Sequence, residues 1–398
     1  MGNVPASDAL FRSPNLQIVF GVALIAVLRS DSISPAFPAM AQALGVSSQN
    51  IGLLITVFAM PSIFLTPLLG VLADRWGRKH VLVPSLLLFG VAGGACMFAR
   101  SFELLLTLRL VQGIGAAALS MLNITLIADL YRGHDLTTAM GYNAGIRSTG
   151  STIYPILGGL LASLAWYYPF ALSLLALPVA LLVLLRLQNP EPEGNLRFAT
   201  YLRQMMASLK TAEITALFLA GCIVFIMMFG AYLTYFPFLL EGKFGTAALG
   251  IGLFLATRST VNALIASQLG RLVQRWSVQS LLKSSFLLYA FVFALLPFAR
   301  SLATIGILTI VLGMAEGFYW PSSQAILGAL APLEHRAGFV AANDMVLKIG
   351  QTIGPLVMGI AFVRFGLTGT FLLAALLGLS GFALLTAFVA PRRVAALS

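Results

Sequence analysis

The sequence predicts an all-α polytopic membrane protein whose twelve transmembrane helices form two pseudo-symmetric six-helix bundles. Three observations carry the prediction. The chain is 59% hydrophobic and 9% charged, with a mean hydropathy of +0.95, whereas a soluble domain is about 45–50% apolar and about 25% charged. Apolar runs of about 20 residues, enough to span a bilayer core as helix, recur from end to end. The chain also partly matches itself when slid by 200 residues.

The predicted spans are 16–38, 50–73, 80–99, 103–129, 137–161, 166–188, 214–239, 247–270, 279–299, 303–328, 337–362 and 367–390. The 15 polar residues before the first carry no cleavable signal pattern, so the first helix is expected to be retained. Pro35 and Pro38 are expected to bend its end. The second and third helices flank "GVLADRWGRK", where Asp74, Arg75, Arg78 and Lys79 crowd into ten residues. On the fourth helix Arg109, Gln112, Ala116, Ser120 and Asn123 step by three or four, as do Asn143, Arg147, Ser151 and Tyr154 on the fifth. Such spacing shares one helix face. After the sixth comes the most polar stretch, 186–213, read as a linker with a short amphipathic helix at 198–210. The expected domains are a bundle at 1–188, a linker at 189–213 and a bundle at 214–398. In the second bundle the seventh helix carries Tyr232, Tyr235 and Phe236, the eighth Arg258 and Asn262, the tenth Glu316 and Trp320, and the eleventh Asp344, Lys348 and Gln351. The ninth and twelfth rest on length and apolarity.

The internal match is clearest where the residues are least generic. "GVLADRW" at 70 meets "GRLVQRW" at 270, "GSTIYPILGG" at 150 meets "GQTIGPLVMG" at 350, and Asn143 meets Asn343. Parallel six-helix repeats are expected to put a substrate site where the halves meet, near the midplane.

Charge placement sets the expected topology. Fifteen Lys and Arg, the Arg75–Lys79 cluster and Arg186 among them, fall on the side of both termini, against Arg100, Lys243, Arg300 and Arg364 on the other. The positive-inside rule then puts both termini in the cytosol of an inner membrane. The formal net charge of +11 therefore reports topology and not a nucleic-acid partner. Cys96 and Cys222 fall inside helices, and His80, His134 and His335 lie in or beside cytosolic loops. Neither a disulfide framework, a metal cluster nor a cofactor is expected. A metalloprotease H-E-x-x-H and a Gly-rich phosphate loop are both missing from the sequence, which argues against a membrane enzyme and against ATP-driven transport.

Charges inside the membrane are the functional signal. Arg29, Asp31, Arg109, Arg147, Arg258, Glu316 and Lys348 fall well inside predicted spans, with Asp344 shallower. Each basic residue at a helix centre costs roughly 2.5–3.5 kcal/mol on insertion scales, so these side chains must face a wet cavity or pair. The polar stripes favour a translocation path; pairing across helices is the competing explanation. Asn143, Arg147, Arg258, Lys348 and Gln112 are the candidate substrate-binding residues, with Tyr232, Tyr235 and Trp320 as lining aromatics. Glu316 has no evident partner and is a candidate proton carrier. Five bases against three acids leave a formal excess of two positive charges, which predicts a neutral, zwitterionic or anionic substrate with an apolar body.

Three motifs carry a family resemblance. "GVLADRWGRKHVL" resembles the signature loop of the major facilitator superfamily, and "RLVQGIGAA" at 109–117 its second motif. "GIRSTGSTIYPILGG" at 145–159 resembles the glycine-proline motif of the twelve-helix drug/proton antiporters, with Tyr154 in place of the glycine before Pro155; Gly354-Pro355 keeps it in the second half. The resemblance implies a major facilitator fold and a secondary active transporter working by alternating access. Gly70 and Gly77 would allow a tight connection. Asp74 would dock near Gly338 at the start of the eleventh helix, and Arg75 or Arg78 would reach Asp129, forming a cytosolic gate. Gly150, Pro155, Gly159, Gly350, Gly354 and Pro355 would be packing positions. Asp31 resembles the first-helix carboxylate of tetracycline-type exporters, and with Arg109 at similar depth it would couple protons. The expected activity is proton-coupled, multidrug-type export of small amphiphilic organic compounds by a monomer in the lipid bilayer. An importer, or an exporter or flippase of one anionic metabolite or lipid, remains open.

Overall fold

The computed structural model describes residues 10–28, 31–188, 211–330 and 336–389, without the side chains of 336–338, 340 and 341. Arg29, most of the expected linker including 198–210, and the surroundings of Gly338 lie outside this set. Among the described residues the elements are all helical. The spans are α1 (Pro14–Val27), α2 (Ser48–Trp76), α3 (Arg78–Phe98), α4 (Phe102–Leu130), α5 (Gly133–Leu164) and α6 (Tyr168–Arg186). They continue as α7 (Ala212–Phe244), α8 (Ala248–Ser267), α9 (Val278–Phe298) and α10 (Leu302–Leu330). Gly366, at φ 64° and ψ −168°, then separates α11 (336–365) from α12 (367–388).

Among the described residues nine segments are long and apolar enough to cross a membrane by length and composition alone, α11 and α12 counting as one of them. The 32-residue α5 is diluted by its Gly, Ser, Thr and Asn, and α1 is cut short. That shortening corrects the predicted first span. Helix stops at Val27 and restarts as Ser34–Ala36 and Phe37–Leu44. Pro35 and Pro38 sit in the first turns of these new pieces. A first-turn N–H has no intrahelical partner to lose, so the prolines begin helices here and do not bend one.

The chain divides into two compact units, Met1–Gly45 with Val57–Phe198, and Val46–Thr56 with Ala199–Ser398. In the first, Leu16, Val19, Val22, Phe89, Leu122, Leu126 and Val183 form the buried core. Ser13 caps α1 by accepting from the Leu16 N–H, with Pro14 at the first helical position. Gly77 turns the chain between α2 and α3 at φ 91°, a region that favours glycine. α4 breaks at Ala117–Ala118, where the Thr66 hydroxyl donates to the Ala117 carbonyl at 2.9 Å. The α4 stripe read from sequence therefore lies on two helix segments. α5 reaches α1 through Gly150 against Val27, and the turn ahead of Ser34–Ala36 through Gly158, whose missing Cβ makes room for the Ser32 carbonyl.

In the second unit Phe218, Phe236, Phe286 and Phe293 are buried. α7 changes to π-helix over Ile226–Tyr232, and the Thr234 hydroxyl donates to the Phe229 carbonyl at 2.8 Å. This irregular turn lies against α11. Gly230 abuts the Gly354 carbonyl, and a Cβ at Gly354 would stand 3.0 Å from Ile226 Cα. Gly350 meets the Cys222 carbonyl, and Pro355 is buried. The start of α2 belongs to this unit: the Thr56 hydroxyl donates to the Thr352 carbonyl at 2.9 Å.

Candidate functional site

A buried ion pair joins α8 to α10. Arg258 Nη1 donates to Glu316 Oε2, and the two side chains are 6% and 11% exposed. Arg258 Nη2 donates to Ser259 Oγ at 3.1 Å, and its Cζ sits 5.5 Å above the Tyr232 ring. Glycines bring the helices together. A Cβ at Gly313 would stand 2.6 Å from the Arg258 carbonyl, and one at Gly317 2.6 Å from Ile265 Cβ. Glu316 lies between these two contacts, so a short approach sets the carboxylate against the guanidinium. Burial of either charge alone would be costly, and the pair with its hydrogen bonds offsets that cost. One expectation needs correction here: Glu316 does have a partner, the Arg258 guanidinium. Around them Tyr232 stacks on Phe236 at 4.6 Å, Tyr235 on Phe362 at 4.9 Å, and Trp320 meets Phe225 edge-on at 5.8 Å. Tyr232 and Tyr235 are fully buried; Trp320 is half-buried. On α11 Lys348 Nζ reaches Gln351 Oε1 at 3.5 Å.

The first unit holds two separate polar chains. Arg109 Nη1 donates to Gln112 Oε1 at 2.7 Å, and Gln112 Nε2 to Ser173 Oγ at 2.9 Å. Arg109 Cζ also lies 4.1 Å from the Phe58 ring centroid, and a desolvated cation over a ring face is stabilised by about 2 kcal/mol. In the second chain Asn143 Nδ2 donates to Asn123 Oδ1 and Asn123 Nδ2 to the Val19 carbonyl, both at 2.9 Å. Gln112 and Asn143, expected to meet substrate, are thus engaged inside this unit. Asp31 and Arg147 are half-buried.

At the α2–α3 corner Arg78 bridges two carboxylates, pairing with Asp74 across the Gly77 turn and donating Nε to Asp129 Oδ2 at 3.0 Å. Of the two arginines the resemblance offered for Asp129, the structure selects Arg78; Arg75 is exposed. A Cβ at Gly70 would stand 3.1 Å from Met121 Sδ. Gly159 is buried, but the close approach on α5 is made by its neighbour Gly158. Ser173, Ser259, Phe58 and Tyr289 escaped the sequence reading, because one helix's spacing says nothing about its neighbours. Among the described residues no group of three His, Cys, Asp or Glu could hold a metal.

Apolar helices that repeatedly span a bilayer, with polar networks buried between them, define an integral membrane protein. The chain belongs to the Major Facilitator Superfamily, whose family model matches residues 19–256 and 217–397. It is accordingly a secondary transporter and not an enzyme. Multidrug resistance protein 1 of Bacillus subtilis is 28% identical over 354 residues, covering 87% of this chain and 89% of that protein. The bacillibactin exporter of Bacillus subtilis is 29% identical over 265 residues, covering 62% of this chain and 66% of the exporter. The solved nucleoside transporter NupG shares the fold at a TM-score of 0.78 with 15% identity, covering 96% of this chain and 100% of that one.

Proposed function

We propose that the protein is a proton-coupled exporter of small amphiphilic organic compounds, with Glu316 and Asp31 as the proton-carrying groups. The observation that carries this reading is the buried Arg258–Glu316 pair. An ionisable pair within a transmembrane bundle is expensive and marks ion or proton pathways. Ionised, Glu316 is held by Arg258; protonated, it loses that attraction, so proton occupancy and helix packing are linked. Arg109 with Asp31 would play the matching role in the first unit, and Asp74, Arg78 and Asp129 would form the gate. The relatives named as a multidrug resistance protein and a bacillibactin exporter support export. The protein would act as a monomer in an inner membrane with both termini cytosolic.

Charge balance favours a second, narrower reading of the cargo. With Arg258 matched by Glu316, and Lys348 by Asp344 in number, the formal excess falls on the first unit, where Arg109 and Arg147 face Asp31 alone among described membrane charges. Anionic, zwitterionic or neutral compounds suit that field better than cations. The test is purified protein in liposomes under an imposed pH gradient, with a matched series of cationic, neutral and anionic compounds. Glu316→Gln and Asp31→Asn should abolish pH-driven transport while substrate exchange survives in part. Wild-type pH-driven rates in both variants would overturn the coupling, and preferred transport of cations would overturn the charge argument.

A further inference from the structure

Tyr289 on α9 is fully buried, and its hydroxyl has no hydrogen-bond partner among the described residues. Buried hydroxyls are nearly always satisfied, so an idle one calls for a reason. Its neighbourhood supplies one. The Tyr289 ring centroid lies 6.2 Å from that of Phe286, which meets Tyr319 edge-on at 5.9 Å. Tyr319 follows Glu316 by three residues and so shares its face of α10. The charges of Glu316 and Arg258 both act on the phenol. Other titratable groups in this setting are Tyr319 itself, Tyr232 under the Arg258 guanidinium, and Cys222, next to Gly221, where a Cβ would stand 3.1 Å from the Tyr319 hydroxyl. α12, which packs on α9 at Gly378 and Gly381, carries no titratable residue over 367–388.

Resting on the reading of Glu316 as a proton carrier, we propose that Tyr289 is a positioning residue whose hydroxyl donates to the Glu316 carboxylate when Arg258 leaves it. Arg258 has contacts to retreat to, Ser259 Oγ and the Tyr232 ring face. A carboxylate released in a dry site needs another donor, and Tyr289 is the uncommitted one on the packed helix. The proton itself comes from water onto a Glu316 oxygen and returns to water; Tyr289 keeps its own proton throughout. A hydrogen bond to the charged form favours that form. Removing the hydroxyl therefore favours protonation and moves the titration midpoint to higher pH.

The test is infrared difference spectroscopy of the purified full chain, titrating its carboxyl-stretch bands. Glu316→Gln identifies the band that belongs to Glu316. Tyr289→Phe should move the midpoint of that band to higher pH by about one unit, a tenfold change in proton affinity, with melting unchanged because the variant deletes an atom that bonds to nothing described. A midpoint equal to wild type would overturn the role of Tyr289 and leave Glu316 as carrier. If Glu316→Gln removes no titrating band, the carrier reading fails and the inference falls with it.

Discussion

Replacing Arg258 by Met would leave the Glu316 carboxylate, 11% exposed, without its counter-ion. Breaking a buried pair from one side costs about 3–5 kcal/mol, whereas replacing both members by apolar residues of similar volume is close to neutral or stabilising. Arg258→Met should therefore destabilise by about 3–5 kcal/mol, Glu316→Met by a comparable amount, and the double variant by far less than the sum. A coupling near 3 kcal/mol is more than a hundredfold in the unfolding equilibrium, at roughly 1.4 kcal/mol per factor of ten. Reversible unfolding of the purified protein in mixed micelles measures all three. The double variant should be folded but unable to respond to an imposed pH gradient. Destabilisations that simply add would refute the reasoning, because they would mean that the two charges do not hold each other.

Two further outcomes follow from the first unit. Arg78→Lys replaces a planar fork by a point charge, so one of the two carboxylates should lose its partner, at a cost of about 1–2 kcal/mol; Asp74→Asn should slow transport while leaving Arg78–Asp129 and the fold intact. Wild-type transport in both variants would leave the cluster as a topology signal only. Asn123→Ala strands the Asn143 amide, while the Val19 carbonyl keeps its bond within α1, and should lower stability by about 1–3 kcal/mol with substrate affinity unchanged, as read by melting and equilibrium binding. Unchanged stability with lost affinity would restore Asn143 as a substrate ligand.

Hydrophobic runs and Gly, Pro and Arg landmarks made the spans legible, because a helix spanning a bilayer must satisfy its own backbone and stay apolar over a fixed length. The Arg78–Asp129 contact was legible only as one of two alternatives, through the motif. The Arg258–Glu316 pair was not, since the residues lie 58 positions apart on helices whose mutual rotation no single-helix pattern specifies. The same limit hid the link from Gln112 to Ser173. The interruption of α1 was half visible: its prolines were noticed, but a proline that opens a helix and one that bends it look alike in sequence. The π-turn of α7, "IMMFGAY", has a composition no different from the α-helix around it.

That π-turn makes α7 sensitive to counting. A π-turn accommodates an extra residue relative to α-helix, and each residue rotates a helix by about 100°. The stretch before it offers the Cys222 carbonyl to Gly350, and the stretch after it offers Tyr235 to Phe362. These two faces are in phase only because the surplus residue is there. Deleting any one residue from 226–232 would restore an unbroken α-helix of equal apolarity, yet swing one end of α7 by more than a quarter turn and draw Tyr232 from beneath the Arg258 guanidinium. Substitutions along this stretch meet mostly side chains, Gly230 against the Gly354 carbonyl excepted, but a change of length shifts everything beyond it, so the spacing of α7 is under tighter constraint than most of its spelling.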